Sequence, residues 1–423
     1  MRALSGLFAI NLMVCDPVLA AECDFSQPPE RQLLSDALNS RDQAEIDRVV
    51  LLLNPTQSAP DIPKLRQRGY QDISGVPVLS PTQREELVNL HLRAAQRIVE
   101  GIADQRGTPQ DLPFALRHLA GIVRGSVALA KAYPDTQDTA LGMAEIAADY
   151  LVQASQDAGV PFAPFPYWRG RSGRLGELSE EMARGLEACD GLETRVRNGW
   201  FVVPEVPEQY YFDTGRVGTV LAELMAVRPK HTYRDWLDRA AAWLDGENLS
   251  SNFNYNAFPA EMFAARHRHL GDPQDLERAL DWLQFGVLPG MISEGPDAGQ
   301  WIDPHNNLLP YRVIMLHAML SARREVNRAR LEPDPKLDQA IALALGAVED
   351  DVRDDRVVES AERMIEIYIG LDTLAAQGVS VDFDQQLRED IEKTATRWLA
   401  ENTPRGDLAT ALFLANLKDV KTR

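Results

Sequence analysis

The segment Gln209-Tyr-Tyr-Phe-Asp-Thr-Gly215 runs directly into an amphipathic helical pattern over residues 216–225. The same layout recurs twice, with Ser251-Asn-Phe-Asn-Tyr-Asn256 before residues 257–269 and Gln300-Trp-Ile-Asp-Pro-His-Asn-Asn307 before residues 308–326. A second helical pattern follows each of the first two, over residues 232–244 and 273–285. The unit is therefore a helical hairpin that repeats about every 45–50 residues, with aromatic and polar side chains at one end of successive helices.

Helical periodicity extends over most of the chain on both sides of this stretch. Helices are predicted at residues 31–38, 43–53, 80–102, 112–132, 136–155, 177–188, 336–348, 359–376, 383–400 and 407–417. Residues 194–203 give the one strong strand signal, a small β-hairpin that turns at Asn198-Gly199. Prolines and glycines interrupt residues 159–174, so no regular helix is expected there. The predicted fold class is all-α with one small β-hairpin.

Helical hairpins in this number either stack into an open solenoid or close into a ring. A solenoid repeats a consensus packing motif, whereas these hairpins share a layout and few residues, which favours closure. In this layout, and in aromatic connectors such as Pro164-Phe-Pro-Tyr-Trp168, the chain resembles the six-hairpin (α/α)6 toroids of exported glycoside hydrolases and polysaccharide lyases. The resemblance implies a toroid domain over residues 81–423 and a carbohydrate substrate.

The first 20 residues have the pattern of a secretion signal. Arg2 precedes a largely apolar run over residues 4–14, and Val18-Leu-Ala20 has the small or short residues of a cleavage site. We expect cleavage after Ala20, a periplasmic or secreted protein, and an N-terminal extension over residues 21–80. The alternative is a buried N-terminal helix, because polar residues interrupt the apolar run.

The cysteines, the histidines and the net charge limit the disulfides, metal sites and partners that can be expected. In an oxidising compartment Cys23 and Cys189 form a disulfide, or they remain two separate thiols. His267 and His269 are two residues apart on a helix and point in different directions, so no metal site is predicted, and no cofactor is expected. The formal net charge of −19 argues against a nucleic-acid partner. After residue 20 no apolar run has the length of a membrane span, so no membrane insertion is expected after signal cleavage.

One candidate binding loop places an aromatic residue beside three arginines in an otherwise acidic chain. It comprises Trp168, Arg169, Arg171 and Arg174. Guanidinium groups bind carboxylates through paired hydrogen bonds and aromatic faces stack on sugar rings, so the loop suits an acidic sugar. The alternative is a solvated loop whose arginines pair with the glutamates that follow it.

The first connector supplies Tyr210 and Tyr211 as candidate substrate-binding residues. Asp213 is either an N-cap of the helix that follows or a catalytic carboxylate. The second connector supplies Asn254 and Tyr255, and its asparagines are alternatively turn formers.

The second connector's helix carries Glu261, which lies one turn in and can face a cavity. A stripe of glutamates over residues 359–366 is attributed instead to a solvated helix face.

The third connector is the densest group of candidates. Trp301, Asp303, His305 and Asn306 lie together before the helix that carries Tyr311. Histidine is the side chain whose ordinary pKa suits proton transfer near neutrality. A purely structural histidine is the alternative.

Two reactions fit these candidates, and a non-catalytic role is the third possibility. In β-elimination of a uronate, Asn306 or an arginine neutralises the carboxylate, while His305, Tyr255 and Tyr311 move the protons. In hydrolysis a pair of carboxylates flanks the bond, and the candidates are Asp213, Glu261 and Asp303. The arginine loop has a use only with an acidic sugar, which favours elimination. A glycan- or protein-binding envelope protein is expected to have an apolar concave face instead.

Overall fold

The computed structural model describes residues 28–60, 75–104, 115–166, 196–202, 209–332, 334–353, 385–401 and 408–416. These residues are mostly helical, which confirms the predicted all-α class. The helices are α1 Pro29–Ser40, α2 Gln43–Leu53, α3 Pro81–Ala103, α4 Ala115–Ala132, α5 Gln137–Ala158, α6 Gln209–Met225, α7 His231–Asp245, α8 Phe253–Leu270, α9 Pro273–Gly286, α10 Leu309–Arg328, α11 Pro335–Arg353, α12 Gln385–Glu401 and α13 Leu408–Asn416. Short 3-10 turns occupy Pro134–Thr136 and Leu288–Gly290.

Local sequence signals explain several helix ends. The Ser80 hydroxyl accepts a hydrogen bond from the Gln83 backbone N–H, and the Gln83 side chain accepts one from the Ser80 N–H. This capping box, with Pro81 in the first turn, starts α3 where the sequence predicted. Helix α5 ends at Gly159, whose φ of 67° lies in the left-handed region that favours glycine.

The prediction that the first two connectors are non-helical is wrong. Helix α6 begins at Gln209 and α8 at Phe253, so the aromatic and Asn residues lie in the first turns of these helices. Phe253, Asn254 and Phe258 are all buried, and α8 even contains Pro259 in its interior. Tertiary packing therefore outweighs the weak helix propensity of these residues. The third connector is a loop, as predicted.

Five helices form a row of neighbours in the order α13, α4, α6, α8 and α10. Helices α5, α7, α9 and α11 pack against α4, α6, α8 and α10 respectively, which gives the predicted helical hairpins. A side chain at Gly215 of α6 would collide with the Phe258 backbone of α8, and one at Gly218 with Met262. These two close approaches advance in the same direction along both helices. Helices α6 and α8 are therefore parallel, with their N-termini at the same end.

The two ends of the helical domain meet. Helix α13 packs against both α3 and α4. The buried Arg84 side chain of α3 donates hydrogen bonds to the Glu392 carboxylate of α12 at 2.6 Å and to the Leu414 carbonyl of α13 at 2.7 Å. The last described helices are therefore tied to the first ones of this domain.

The predicted β-hairpin is present, and a third strand joins it. Strands β2 Val196–Arg197 and β3 Trp200–Phe201 are antiparallel and turn at Asn198 and Gly199, whose φ angles are 51° and 84°. Strand β1 Phe165–Pro166 pairs with the other edge of β3. The sequence did not predict β1, because a strand of two residues leaves no alternation to detect.

The N-terminal segment, residues 28–60, packs on the connector ends of the main helices. The Asn39 side chain both donates to the Leu249 carbonyl at 3.1 Å and accepts from its N–H at 2.6 Å. The Ala59 N–H donates to the Asp297 carboxylate at 2.9 Å. This part of the predicted N-terminal extension is therefore held against the end of the domain where the candidate residues collect.

Candidate functional site

The row of parallel helices has an inner face, which we define as the side of α4, α6, α8 and α10 turned away from their hairpin partners. Partly exposed residues recur there at helical spacing within helices that are otherwise buried. They include Arg117, Gly121 and Arg124 of α4 and Phe212, Arg216 and Glu223 of α6. Because these stripes carry charge, the inner face is polar.

Near the N-terminal end of the inner face, Asp213 is bound by an arginine. The Arg117 Nε and Nη2 groups donate to its two carboxylate oxygens at 2.6 and 3.0 Å, and the guanidinium lies 3.8 Å from the centre of the Phe212 ring. Asp213 lies within α6 and is buried, so the N-cap interpretation is wrong. Both oxygens of the Asp213 carboxylate are therefore engaged by one guanidinium.

Deeper in the inner face, a crevice separates α4, α6 and α8. It is lined by Ala120, Gly121, Arg124, Arg216, Thr219, Val220 and Glu261. These side chains fill the crevice in this conformation, so a ligand would contact them at its mouth.

Glu261, the predicted carboxylate of α8, faces a histidine of the next helix. Its Oε2 atom lies 3.5 Å from Nδ1 of His317 on α10, and both side chains are buried. A carboxylate beside one imidazole nitrogen orients the ring, which is the arrangement of a general acid–base pair. Both residues come from the middle of their helices, so rigid backbone sets their separation.

Cationic groups lie beside this pair. Arg216 and Arg124 both line the crevice, and the Arg124 guanidinium lies 3.5 Å from the Glu223 carboxylate. We call Arg124, Arg216, Glu223, Glu261 and His317 the inner-face cluster. It combines guanidinium groups that attract an anion with a buried acid–base pair.

The third connector forms a second polar group, the rim cluster, which comprises Asn254, Asp303, His305, Asn306 and Tyr311. The Asp303 carboxylate accepts hydrogen bonds from the backbone N–H groups of His305 and Asn306 and from the Asn306 amide. The Asn306 carbonyl oxygen accepts from both the backbone N–H and the side-chain amide of Asn254 at 2.8 and 2.9 Å. The rim cluster thus joins the start of α8 to the loop before α10.

The His305 side chain packs against a neighbouring side chain instead of projecting into solvent. Its ring stacks on Tyr311 with centroids 4.2 Å apart, and its Nε2 atom is shielded from solvent with no hydrogen-bond partner in the described residues. Burial and the nearby positive charge of Arg31 lower the pKa of His305 to about 4. Burial raises the pKa of Asp303 despite the hydrogen bonds that it accepts. At neutral pH His305 is therefore a neutral imidazole of weak basicity.

Three of the predicted sugar-binding aromatics are core residues. Trp301 donates from Nε1 to the Val287 carbonyl, Tyr211 donates its hydroxyl to the Asn248 carbonyl, and Tyr210 donates to the Phe201 carbonyl. All three side chains are buried. Because their faces pack against protein, these three side chains are not available to stack on a sugar in this conformation. Asn254 is likewise fully buried.

Tyr255 and Tyr311 are placed differently from these aromatics. Each is the third residue of its helix, α8 and α10, and each is only partly buried. Both therefore lie in the first turn of neighbouring helices.

Some predicted features lie outside the described residues. They are the signal segment and its cleavage site, Cys23 and Cys189, the glutamate-rich helix over residues 359–376, and the loop of Trp168, Arg169, Arg171 and Arg174.

The sequence analysis missed His317, Arg117, Arg124 and Arg216. A signal for His317 does exist, because His317, Ser321 and Arg324 recur at spacings of four and three residues, and residues 313–320 are apolar apart from His317. Polar residues at helical spacing within a buried helix indicate a polar cavity wall.

No family model matches the sequence, and no curated protein matches it either. The described residues contain no group of three or more His, Cys, Asp or Glu side chains placed to hold a metal ion. Among the helices that the structure describes, none is both long enough and apolar enough to cross a membrane.

Proposed function

We propose that this chain is an exported carbohydrate-active enzyme, a polysaccharide lyase that cleaves a uronate-containing glycan by β-elimination. The observation that carries the proposal is the inner-face cluster, where the buried Glu261–His317 pair lies beside the crevice-lining Arg216 and Arg124. Elimination at a uronate needs a cation for the carboxylate and a base for the adjacent proton. The cluster supplies both groups within one crevice.

The proposal includes a closed (α/α)6 ring. It is supported by the row of parallel helices, by their outer hairpin partners, and by the contact of α13 with both α3 and α4. An open solenoid keeps its terminal repeats apart, because each repeat contacts only its neighbours.

In the proposed reaction Arg216, with Arg124 behind it, binds the uronate carboxylate and neutralises it. The adjacent C–H bond is thereby acidified, and His317, oriented by Glu261, takes the proton. The bond to the leaving glycosidic oxygen breaks as the carbon–carbon double bond forms. Tyr255 or Tyr311, each in the first turn of its helix, donates a proton to that oxygen.

Hydrolysis of a neutral sugar receives less support. Its three candidate carboxylates are engaged by different partners: Asp213 by Arg117, Glu261 by His317, and Asp303 by the backbone of its own loop. A pair flanking one bond requires two carboxylates across a shared space. The non-catalytic role predicted an apolar concave face, and the charged stripes of α4 and α6 disfavour it.

A panel of polyuronates and neutral glycans tests the proposal on the full mature chain. A lyase produces an unsaturated uronate, which is followed by its ultraviolet absorbance, and new reducing ends in equal number. Reducing ends without unsaturation would identify a hydrolase. Binding without either product would identify a non-catalytic protein, and both of these results would overturn the elimination proposal.

Export of the protein itself is part of the proposal and has its own test. The apolar run over residues 4–14 and Val18-Leu-Ala20 support secretion of the chain to the periplasm or beyond. Mass spectrometry of the protein from fractionated cells should find the mature N-terminus at Ala21. A full-length N-terminus in the cytoplasmic fraction would contradict export.

A further inference from the structure

Basic residues gather near the C-terminal ends of the inner helices, at the opposite end from the rim cluster. We call Arg124, Lys131, Arg268, Arg324 and Arg328 the basic cluster. Arg124 and Lys131 lie on α4, Arg268 on α8, and the other two on α10. The charges of Arg268, Lys131, Arg328 and Arg324 all act on His269 and, after burial, help to lower its pKa to about 3. Three helices therefore bring their positive charges to one place.

The carboxylates at this place do not balance the cations. Glu325 lies 2.6 Å from Arg268, 3.1 Å from His267 and 4.0 Å from Arg328, while Glu223 lies 3.5 Å from Arg124. Among the residues that the structure describes, these are the two carboxylates within 4.0 Å of the basic cluster, so the five cationic side chains outnumber them there. The whole chain has a formal net charge of −19, so this concentration runs against its overall composition.

Arg324 differs from the other arginines of the basic cluster because it has no ion-pair partner among the described residues. Its Nε atom is shielded from solvent and has no hydrogen-bond partner, and the described residues contain no carboxylate within ion-pair distance of its guanidinium. Burial and the charges of Arg268 and Arg124 lower the pKa of Arg324 to about 10, so the group stays charged at neutral pH. A largely buried, unpaired charge is costly unless a partner binds to it.

We propose that the basic cluster, centred on Arg324, is a binding site for a small oxyanion such as a sulfate, phosphate or carboxylate group. A planar guanidinium presents paired N–H donors that match two oxygens of such a group. Helix C-termini already favour basic residues on exposed turns. That effect does not account for Arg324, because its Nε atom is shielded from solvent and has no hydrogen-bond partner.

The oxyanion has two possible sources, a free inorganic ion or an acidic substituent of a glycan. Both present a pair of oxygens that a guanidinium can bind through two parallel hydrogen bonds. Because Arg124 also lines the crevice of the inner-face cluster, the oxyanion site adjoins the proposed catalytic site without depending on it. Failure to find lyase activity would leave the oxyanion site in place, and the reverse also holds.

Isothermal titration calorimetry and thermal unfolding of the full mature chain test the site. Sodium sulfate, sodium phosphate and sodium glucuronate are compared with sodium chloride at equal ionic strength. We expect saturable binding and a raised melting temperature with at least one of the three. Binding by glucuronate alone would point to a glycan substituent, and binding by the inorganic ions alone to a free ion. No saturable binding by any of the three would overturn the proposal.

Arg324→Gln is the deciding variant. It should weaken binding of the responding anion by about tenfold or more, since hydrogen bonds to charged groups are among the strongest. Its melting temperature in chloride should stay the same or rise, because an unpaired charge has been removed. Arg239→Gln, an exposed arginine of α7, is the matched control and should bind like the parent chain. If Arg324→Gln does not fold, Arg324→Lys keeps the charge without the fork and should still bind more weakly than the parent. Unchanged affinity in the folded Arg324 variant would contradict the assignment.

Discussion

The rim cluster and the inner-face cluster are both polar, yet their side chains are used differently. At the rim, Asp303, Asn306 and Asn254 hydrogen-bond to one another and to nearby backbone, which joins a loop to the start of a helix. On the inner face, the acid, base and guanidinium groups come from the middle of separate helices and face each other across a crevice. Polar residues in connectors can therefore stabilise the fold, while the residues suited to acid–base catalysis lie within helices.

The largest expected effect comes from Glu261→Gln. The change keeps the size of the side chain and removes the charge that orients His317, so turnover on a responsive polyuronate should fall by ~10²–10⁴. Steady-state kinetics with matched circular dichroism spectra measures this. Asn252→Gln, at the rim, is the control and should change turnover little. Parent-like turnover in a folded Glu261→Gln chain would remove the inner-face cluster from the reaction.

Asn306→Ala should affect stability rather than chemistry. Without the Asn306 amide, the buried Asn254 N–H groups and one Asp303 oxygen lose partners, so the free energy of unfolding should fall by about 1–3 kcal/mol. Urea unfolding measures the change. Asn252→Ala removes a single acceptor for the Asn254 amide and should cost less, about 0.5–1.5 kcal/mol. A stable Asn306→Ala chain with lost turnover would show that the rim takes part in catalysis.

Acid should weaken the fold partly through His305. Its pKa is about 4 in the folded protein and ~6.5 in an unfolded chain. The unfolded state therefore binds more protons between these values, so this contribution is fully present above pH ~6.5 and is lost as the pH falls toward ~4. His305→Asn should flatten the dependence of unfolding free energy on pH in that window. His269→Asn should act in the same sense, since the pKa of His269 is also lowered. Unchanged pH dependence in His305→Asn would mean that the imidazole is not buried in solution.

The smallest effect should come from Arg41→Ala in the N-terminal segment. The Arg41–Asp281 ion pair is 3.0 Å long, but both side chains are more than a third exposed, at 46% and 35%. Such pairs contribute about 0–1 kcal/mol. Asn39→Ala removes two partly buried hydrogen bonds to Leu249 and should loosen the segment more. Limited proteolysis of residues 28–60 compares the two variants, and equal cleavage rates would contradict this ranking.

The sequence was sufficient for the fold class and for most helix positions, because helical periodicity and caps are local signals. The spans at Gln43–Leu53 and Pro273–Gly286, the Ser80 cap and the Asn198-Gly199 turn follow from such signals. The helical first turns of α6 and α8 could not be predicted from local signals, because burial of their aromatic side chains depends on neighbouring helices. The contact between Glu261 and His317 was equally out of reach, because 56 residues separate them in the chain and only the packing of α8 against α10 brings them together.

A direct test of the central claim compares His317→Ala with His305→Ala on one polyuronate substrate across a range of pH. The account predicts that His317→Ala folds and loses ~10²–10⁴ in turnover, together with the limb of the pH profile that reports its protonation. His305→Ala should keep the parental profile per folded molecule and unfold at a lower temperature. The reverse pattern, with normal turnover in His317→Ala and a lost limb in His305→Ala, would place the chemistry at the rim and contradict the account.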